Sequence, residues 1–258
     1  MNIQPTIVLT GDQIATFRTQ GFLSLDQIST PGELARLREI YDRMFEGRDK
    51  LDAGVSFDLS GESEQKPKLP QILDPSSREP SLKNTLIWAN ARAIMEQLLG
   101  GELAWQGDHA ILKPAGYGAP TPWHQDEAYW DPGLEHASLS VWVPLQDVDE
   151  RSGCMCFVPG SHEMDVLPHQ PIGNDPMVHG LELASQPELL KSALAVPLKA
   201  GGCTIHQQRT LHYAPGNVSD IPRRAYIVMG GLAGRPLETP RRFEWQERQR
   251  AGGAPASR

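Results

Sequence analysis

The sequence predicts a mainly β fold with flanking helices, because the texture of the 258-residue chain changes near residue 100. Before that point, apolar residues recur at helical spacing behind helix-capping residues. From residue 102 onward, short alternating or apolar runs are interrupted by proline and glycine, which is typical of a β-sandwich or jelly roll. The 22 prolines and 24 glycines also favour turns over long helices.

These patterns predict one domain, residues 1–248. A helical buttress is expected over about residues 10–100 and the β core over about 102–232. The remaining residues, 249–258, are rich in Gly, Ala, Ser and Arg and are predicted to form a disordered tail.

Two capping signals predict helices in the first fifty residues. Thr10 begins a Thr-x-x-Gln capping box, and Gly21 is expected to end the helix that follows. Thr30 precedes a proline at the first helical position, and the second helix should end near Gly47. A short strand over residues 22–25 is expected between the two helices.

The middle of the chain carries weaker signals. Residues 48–80 have no sustained period and are predicted to be irregular, with 71–73 a candidate exception. Residues 81–99 indicate one or two helices, with Asn90 a candidate cap. The strands are predicted within residues 103–113, 122–130, 137–148, 153–158, 194–198, 203–206, 210–213 and 223–231.

Charge and cysteine content narrow the class of function. A formal net charge of −8 argues against a nucleic-acid or anionic-membrane surface as the main partner, because both attract basic proteins. No run approaches 18 apolar residues, and the first residues lack the pattern of a secretory signal. The three cysteines form neither a C-x-x-C pair nor an even set, as expected in a reducing compartment. We therefore expect a cytoplasmic protein that acts on a small molecule.

The triplet His124-Gln125-Asp126 is a candidate metal site. In an extended strand, residues i and i+2 point to the same side, so the imidazole of His124 and the carboxylate of Asp126 can converge on one ion. One further histidine would complete a facial triad, which leaves positions open as a non-haem Fe(II) centre requires. A lone H-x-D triplet is common by chance, so the prediction depends on that histidine.

Among eight histidines, His212 is the strongest candidate for the third ligand. Residues 210–226 indicate a strand, a Pro/Gly/Asn loop and a second strand, and a hairpin of this form would bring Arg223 beside the site. A buried arginine there would match the far carboxylate of a dicarboxylic co-substrate. Because neighbours on a strand face opposite sides, only one of Arg223 and Arg224 can point inward.

Four blocks in order carry a family resemblance over about residues 105–232. They are W-H-Q-D at 123–126, S-V-W-V-P-L-x-D-V at 140–148, G-C-M-C-F-V-P-G-S-H at 153–162 and H-Y-A-P-G-N-V-S-x-x-x-R-R at 212–224. Together they resemble the phytanoyl-CoA dioxygenase (PhyH) family. The resemblance implies a double-stranded β-helix core, which is a cupin-like jelly roll, behind an N-terminal helical layer.

The resemblance also implies an activity and a set of site residues. The activity would be that of an Fe(II)- and 2-oxoglutarate-dependent dioxygenase, which uses O2 to hydroxylate an unactivated C–H bond and releases succinate and CO2. The implied iron ligands are His124, Asp126 and His212. The implied contacts to 2-oxoglutarate are Arg223, Trp142, Lys113 and His109.

Two positions depart from the family pattern. Ala214 stands where many relatives carry serine, so a hydroxyl contact to the co-substrate is expected to be missing or supplied elsewhere. Gln207 stands where relatives often carry histidine, and His206 is displaced from that place by one residue. Neither departure touches the predicted triad or Arg223.

Several alternatives stay open at this stage. A cupin-type metalloenzyme that does not use 2-oxoglutarate and a non-catalytic binding module remain competing functions, and the protein is expected to be a monomer or a homodimer.

Tyr129, Trp130 and the segments 48–80 and 163–190 are candidates for the substrate pocket and its lid. Arginines 235, 241 and 242 form the one late basic cluster, which we interpret as a solvated face.

Overall fold

The computed structural model describes residues 3–52, 54–61, 66–185 and 187–252. The helices are α1 (Gly11–Gln20), α2 (Pro31–Glu46), α3 (Pro75–Arg78), α4 (Leu86–Leu99) and α5 (Glu244–Gly252). The strands are β1 (Phe22–Leu25), β2 (Ser56–Asp58), β3 (Pro70–Leu73), β4 (Trp105–Lys113), β5 (Thr121–His124), β6 (Leu134–Glu135), β7 (Ser138–Pro144), β8 (Met155–Phe157), β9 (His169–Pro171), β10 (Leu181–Leu183), β11 (Leu194–Val196), β12 (Cys203–Gln207), β13 (His212–Ala214), β14 (Arg223–Gly231) and β15 (Arg235–Pro236). Within these ranges, no helix combines the length and apolar character that crossing a membrane requires.

Two antiparallel sheets form a jelly roll. The major sheet has the order β1-β12-β7-β14-β4-β3-β2, and the minor sheet has the order β11-β8-β13-β5. Their facing sides share a core in which Trp142 and Ile227 of the major sheet join Phe157 and Ala214 of the minor sheet. The predicted mainly β fold is confirmed.

The other face of the major sheet is covered by helices. Leu37 and Tyr41 of α2 and Ile94 of α4 share one core with Val141 and Val143 of β7. Every residue of β7 is buried for this reason, and its sequence therefore lacks the regular polar positions of a strand with one solvated face. The helical layer predicted ahead of the β core is present.

The capping signals of the first two helices are confirmed. The Thr10 side chain accepts from the backbone N–H of Gln13 and completes the capping box, and Thr30 caps α2. Gly21 ends α1 in the left-handed region at φ 80°, and a Cβ there would lie 2.4 Å from Nδ1 of His162. Glycine is required at this position on both grounds.

The cap predicted at Asn90 is wrong. The N-cap of α4 is Thr85, whose side chain accepts from the N–H of Trp88. Asn90 is fully buried inside the helix, where it accepts from the N–H of Thr6 at 2.6 Å and donates to the carbonyl of Ile28 at 3.0 Å. Its amide satisfies backbone groups from distant segments, which a local capping pattern cannot reveal.

Segment 48–80 is more regular than predicted. It contains β2, β3 and α3, and β3 pairs with β4 to extend the major sheet. The exception expected at 71–73 falls within β3 and is confirmed. The other short elements escaped prediction because three or four residues are too few to show a period.

Two further predictions need correction. The strands at His212 and Arg223 do not form a hairpin, because β13 lies in the minor sheet and β14 in the major sheet. The predicted tail starts too early, since α5 runs through Gly252 and the Gln249 side chain donates to the carbonyls of Val178 and His179. Residues 253–258 of that tail lie outside the described residues.

Candidate active site

Two histidines face each other across the minor sheet. β5 ends at His124 and β13 begins at His212, and the two residues are register partners with ring centroids 4.1 Å apart. Gln125 keeps an extended backbone at φ −120° and ψ 133° before a 3-10 turn starts at Asp126. The strand predicted over 122–130 therefore stops early, but the extended residue still directs Asp126 to the side of His124.

Three potential ligand atoms converge between these strands. Oδ1 of Asp126 lies 3.7 Å from Nε2 of His124 and 3.5 Å from Nε2 of His212, and the three candidate atoms lie within 4.8 Å of one another. Nδ1 of His124 donates to the carbonyl of Pro122 at 2.8 Å, and Nδ1 of His212 donates to that of Thr210 at 2.9 Å. Because each Nδ1 carries the proton, each Nε2 lone pair is left for a metal ion.

Burial determines the charge of the cluster. It lowers the pKa of His124, and it lowers the pKa of His212 well below its ordinary value, so both rings are neutral near pH 7. Burial raises the pKa of Asp126, but the neighbouring His212 and a contact from His206 outweigh that effect and bring the pKa below its ordinary value. Two neutral imidazoles and one carboxylate form the ligand set of non-haem Fe(II) centres.

Two residues that the sequence did not assign contact the carboxylate. Ser140 Oγ donates to Oδ2 of Asp126 at 2.8 Å, and His206 Nε2 lies 3.3 Å from the same oxygen. β12 turns His206 inward and leaves Gln207 only half-buried. The histidine that seemed displaced by one residue therefore reaches the site after all, and the alternation of β12 is the signal that could have placed it.

Arg223 is a buried cation with two donor nitrogens that are not satisfied. Its side chain is 1% exposed, and within the described part of the chain its Nε and Nη1 have no hydrogen-bond partner. Burial lowers its pKa to about 9, so the guanidinium remains charged at neutral pH. Its Cζ lies 5.5 Å from the ring centroid of Trp142. Arg224 points the other way and pairs with Asp42 at 2.7 Å, as the alternation predicts.

The two candidates on β4 have different surroundings. His109 lines the cavity beside the triad, and its Nδ1 lies 3.4 Å from Nε2 of Gln71. Burial lowers the pKa of His109, which favours a neutral ring. Lys113 is not among the described residues that line the cavity. Its Nζ instead donates to the carbonyls of Ala214 at 2.8 Å and Pro215 at 2.7 Å, at the end of β13.

A cavity of about 580 Å³ includes both the triad and Arg223 in its walls. Tyr129 and Trp130 line it, as predicted. The hydroxyl of Tyr129 accepts from the N–H of Leu181 at 2.7 Å, which joins the turn that carries Asp126 to strand β10. Trp130 meets Trp105 edge to face with ring centroids 6.5 Å apart.

Both segments predicted as lid candidates contribute to the cavity wall. From segment 48–80 the lining residues are Gly54, Val55, Leu59, Leu69, Gln71, Leu73, Asp74, Ser77 and Arg78. From segment 163–190 they are Ile172, His179, Gly180 and Leu181. The walls are largely apolar and aromatic. Most of the polar side chains lie at the His/Asp/His cluster and on segment 48–80.

The turn that carries Asp126 is held from behind by a buried ion-pair cluster. Glu127 is fully buried, and its carboxylate lies 2.6 Å from Nε of Arg209 and 2.6 Å from Nη2 of Arg241. Trp245 donates its indole N–H to the carbonyl of Ala128 at 2.8 Å. The chain after the jelly roll thus packs against the turn that carries Asp126.

The late arginines are engaged by acidic residues. Arg241 pairs with Glu127, Arg235 with Glu135 at 2.9 Å, and the remaining arginine, at position 242, with Glu247 at 2.7 Å. The interpretation of this cluster as a solvated face holds for Arg235 and not for Arg241, whose side chain is only 19% exposed. The partial burial of Arg241 follows from its pairing with Glu127, whose burial no local sequence pattern indicates.

The fold and the site together define a jelly-roll protein in which a His/Asp/His cluster that could hold a metal ion shares one cavity with a buried arginine. The chain belongs to the phytanoyl-CoA dioxygenase (PhyH) family, whose model matches residues 17–225. The C-terminal segment with Arg241 and Trp245 lies beyond that match.

Known relatives extend the comparison. The chain is 30% identical over 142 residues to a probable alpha-ketoglutarate-dependent hypophosphite dioxygenase of Stutzerimonas stutzeri, with 54% of this chain and 49% of that protein covered. It is 24% identical over 254 residues to an ectoine dioxygenase of Bordetella parapertussis, with 90% and 79% covered. The chain thus spans about half the length of the first of these relatives.

A solved structure covers nearly the whole chain. EvdO2 from Micromonospora carbonacea var. aurantiaca is 38% identical, with 95% of this chain and 99% of that chain covered and a TM-score of 0.80. A crystal structure of EvdO2 complexed with 2-oxoglutarate matches equally well. The jelly-roll framework is therefore shared over almost its full length.

Proposed function

We propose that this protein is an Fe(II)- and 2-oxoglutarate-dependent dioxygenase that oxidises a small molecule. The observation that carries the proposal is the combination, in one cavity, of the His124, Asp126 and His212 cluster with the unsatisfied guanidinium of Arg223. A cluster of metal-binding side chains alone would be compatible with many jelly-roll enzymes. A buried cation beside it favours a co-substrate that carries a carboxylate at its far end.

The donor set fits Fe(II). His124, Asp126 and His212 would hold the ion on one face and leave the opposite positions for ligands from the cavity. Both histidines have their tautomer set by a backbone carbonyl, which orients each ring without any further side chain. When bound, Fe(II) with 2-oxoglutarate and O2 supplies the oxidation, in which a substrate C–H bond is hydroxylated and 2-oxoglutarate becomes succinate and CO2.

Arg223 would bind the distal carboxylate of 2-oxoglutarate. A buried charge without a partner is costly, and a carboxylate placed between its donors would remove that cost by charge-assisted hydrogen bonds. Trp142 fixes one face of the guanidinium by a cation–π contact. This pairing separates the proposal from a cupin-type metalloenzyme without 2-oxoglutarate, in which Arg223 would have no counter-charge.

The two candidates on β4 take different roles. His109 would meet the co-substrate directly, since it lines the cavity near Gln71. Lys113 would act indirectly. Its Nζ donates to the carbonyls of Ala214 and Pro215, and these contacts would position the end of the strand that carries His212. The serine hydroxyl that Ala214 lacks would then have no direct replacement from Lys113.

The substrate would be a small molecule enclosed by aromatic walls. A cavity of about 580 Å³ is of the size that accommodates metabolites rather than macromolecules. Tyr129, Trp130 and Trp105 offer apolar and ring-stacking surface on the side away from Arg223. Relatives named for substrates as different as hypophosphite and ectoine indicate that this family varies its substrate within one framework.

We also propose that the protein acts in the cytoplasm on diffusible substrates, without nucleic acid or membrane as a partner. None of Cys154, Cys156 and Cys203 forms a disulfide bond, which fits a reducing compartment. The net charge of −8 disfavours binding to polyanionic surfaces.

Anaerobic titration of the purified protein with Fe(II) and 2-oxoglutarate tests the proposal. Chelation of the iron by the keto acid is expected to produce a weak visible charge-transfer band that saturates with both components. Succinate formation in air, measured over a panel of small molecules, would then identify the substrate class.

Arg223→Met is expected to lose the band at these concentrations, because the distal carboxylate of 2-oxoglutarate then has no cation to bind. The matched control is Arg224→Met, which removes an arginine from the same strand but from its outer face. This variant is expected to retain the band at wild-type concentrations of 2-oxoglutarate. A wild-type protein that binds Fe(II) without developing the band would contradict the proposal.

A further inference from the structure

The two carboxylate oxygens of Asp126 have different surroundings. Oδ1 faces the Nε2 atoms of His124 and His212 at 3.7 and 3.5 Å. Oδ2 is turned away, toward the hydroxyl of Ser140 at 2.8 Å and Nε2 of His206 at 3.3 Å. One oxygen thus belongs to the ligand cluster, while the other is surrounded by groups that can donate to it.

The two residues around Oδ2 are fixed by the major sheet. His206 of β12 and Ser140 of β7 are direct register partners, so both side chains leave the sheet on the same face. Each is 3% exposed. The ring of His206 packs against those of both Phe157 and His212, with centroids 5.3 and 4.3 Å away, which restricts its rotation.

The imidazole of His206 contributes no hydrogen bond to the fold in the described residues. Within the described part of the chain neither of its ring nitrogens makes a hydrogen bond, and Nε2 lies 3.3 Å from Oδ2 of Asp126. It is also not part of the group whose ligand atoms lie within 4.8 Å of one another. A fourth-ligand role is therefore disfavoured, and a buried imidazole aimed at Oδ2 needs another explanation.

We propose that Ser140 and His206 hold Oδ2 of Asp126 off the metal, so that the carboxylate binds through Oδ1 alone. The inference rests on the proposed function and concerns how the site keeps coordination positions of the metal ion open for 2-oxoglutarate and O2. Three protein atoms on an octahedral ion leave three positions, of which 2-oxoglutarate takes two and O2 the third. A carboxylate that chelated through both oxygens would occupy one of them.

Ser140 and His206 are thus positioning residues that act through Asp126. Partners of this kind, which contact a ligand and not the metal, typically change metal affinity or activity by about 10- to 100-fold when they are removed. Their effect here should fall on the co-substrate, because the number of open positions changes while all three ligands stay in place.

Two double variants form a matched pair for the test. Ser140→Ala with His206→Phe removes both polar groups that lie beside Oδ2, whereas Ser140→Ala with His206→Gln restores one N–H group in the same place. Each protein is loaded anaerobically with Mn(II). Water-proton relaxation then reports the number of metal-bound waters, and calorimetry reports the affinity for 2-oxoglutarate.

The phenylalanine variant is expected to bind Mn(II) but to lose about one third of the relaxation effect, since one of three open positions is taken by Oδ2. Its affinity for 2-oxoglutarate should fall about tenfold or more. The glutamine variant keeps one N–H group beside Oδ2, so both of its values should lie between those of the phenylalanine variant and those of the wild type. If the phenylalanine variant does not fold, the single variant Ser140→Ala is expected to show the same change in part.

Equal water counts and equal 2-oxoglutarate affinities in the wild type and the variants lacking these donors would overturn the inference while leaving the proposed function intact. The same conclusion would follow if the phenylalanine and glutamine variants were impaired alike. Failure of the wild-type, Mn(II)-loaded protein to bind 2-oxoglutarate would instead contradict the proposed function itself. The two failures are therefore distinguishable in one set of measurements.

Discussion

Glu127 and Arg223 are both buried charges, but their surroundings differ completely. Glu127 is fully buried and lies 2.6 Å from nitrogens of both Arg209 and Arg241. Arg223 is equally buried, yet in the described structure its Nε and Nη1 have no partner. One charge is neutralised inside the protein, and the other faces a cavity.

The difference separates structure from function. Breaking a buried ion pair leaves an uncompensated charge and destabilises a protein, whereas a charge that is already unpaired contributes only its cost. Glu127 therefore stabilises the turn that carries Asp126. The burial of the Arg223 side chain is better explained by a role in ligand binding than by a contribution to the stability of the fold.

The largest expected effect concerns Arg223. Replacement by methionine keeps much of the volume and removes every donor, so the affinity for 2-oxoglutarate should fall at least about 100-fold, as for loss of one partner of a buried charge pair. Calorimetry on the Mn(II)-loaded protein measures the change. Arg224→Met is the control and should bind within about twofold of the wild type, because Arg224 makes an outer ion pair with Asp42.

The next effect concerns Glu127. Glu127→Gln should lower the free energy of unfolding by about 3 kcal/mol, because Arg209 and Arg241 lose their shared counter-charge. Urea denaturation followed by tryptophan fluorescence measures the difference. Glu247→Gln breaks the exposed pair with the arginine at 242 and should cost less than about 0.5 kcal/mol. Equal losses in the two variants would show that the buried cluster contributes nothing special.

A smaller effect depends on pH and involves His169, which supports the same turn by accepting from the N–H of Gln125 at 3.2 Å. Burial lowers the pKa of His169 to about 4. The unfolded chain takes up this proton near pH 6.5 and the folded chain only near pH 4, so stability should fall as the pH drops through that window, by up to about 3 kcal/mol. His169→Gln, compared by denaturation at pH 7 and pH 4.5, should show a weaker pH dependence than the wild type. An unchanged pH dependence would contradict this assignment.

The smallest effect concerns Trp142, which contacts Arg223 without hydrogen bonding to it. Trp142→Phe keeps an aromatic face but weakens the cation–π attraction, worth about 0.5–1 kcal/mol, so 2-oxoglutarate affinity should fall only about two- to fivefold. Calorimetry on the same metal-loaded protein decides. A loss as large as that of Arg223→Met would assign Trp142 a direct role in binding.

The sequence predicted the features that have a short period or a local motif. The capping box at Thr10, the N-cap at Thr30, the whole of β14 and the opposite orientations of Arg223 and Arg224 all follow from neighbours along the chain. The family blocks then identified the candidate site, including Trp142 in the cavity wall.

What the sequence did not predict depends on contacts between distant segments. Asn90 looked like a cap but binds the N-terminal segment. Glu127, to which the sequence assigned no role, lies between arginines 82 and 114 residues further along. The supposed hairpin after His212 crosses between two sheets instead, because a jelly roll alternates its strands between them. No local pattern distinguishes these arrangements from the simpler ones.

The central claim is that the unpaired charge of Arg223 is reserved for 2-oxoglutarate, and thermal unfolding of Mn(II)-loaded wild type and Arg223→Met with and without 2-oxoglutarate tests it most directly. The account predicts that the variant unfolds at the same or a higher temperature without the ligand, because a buried unpaired charge is gone. Only the wild type should then gain stability when 2-oxoglutarate is added. A variant that is less stable without ligand and is still stabilised by 2-oxoglutarate would contradict the account.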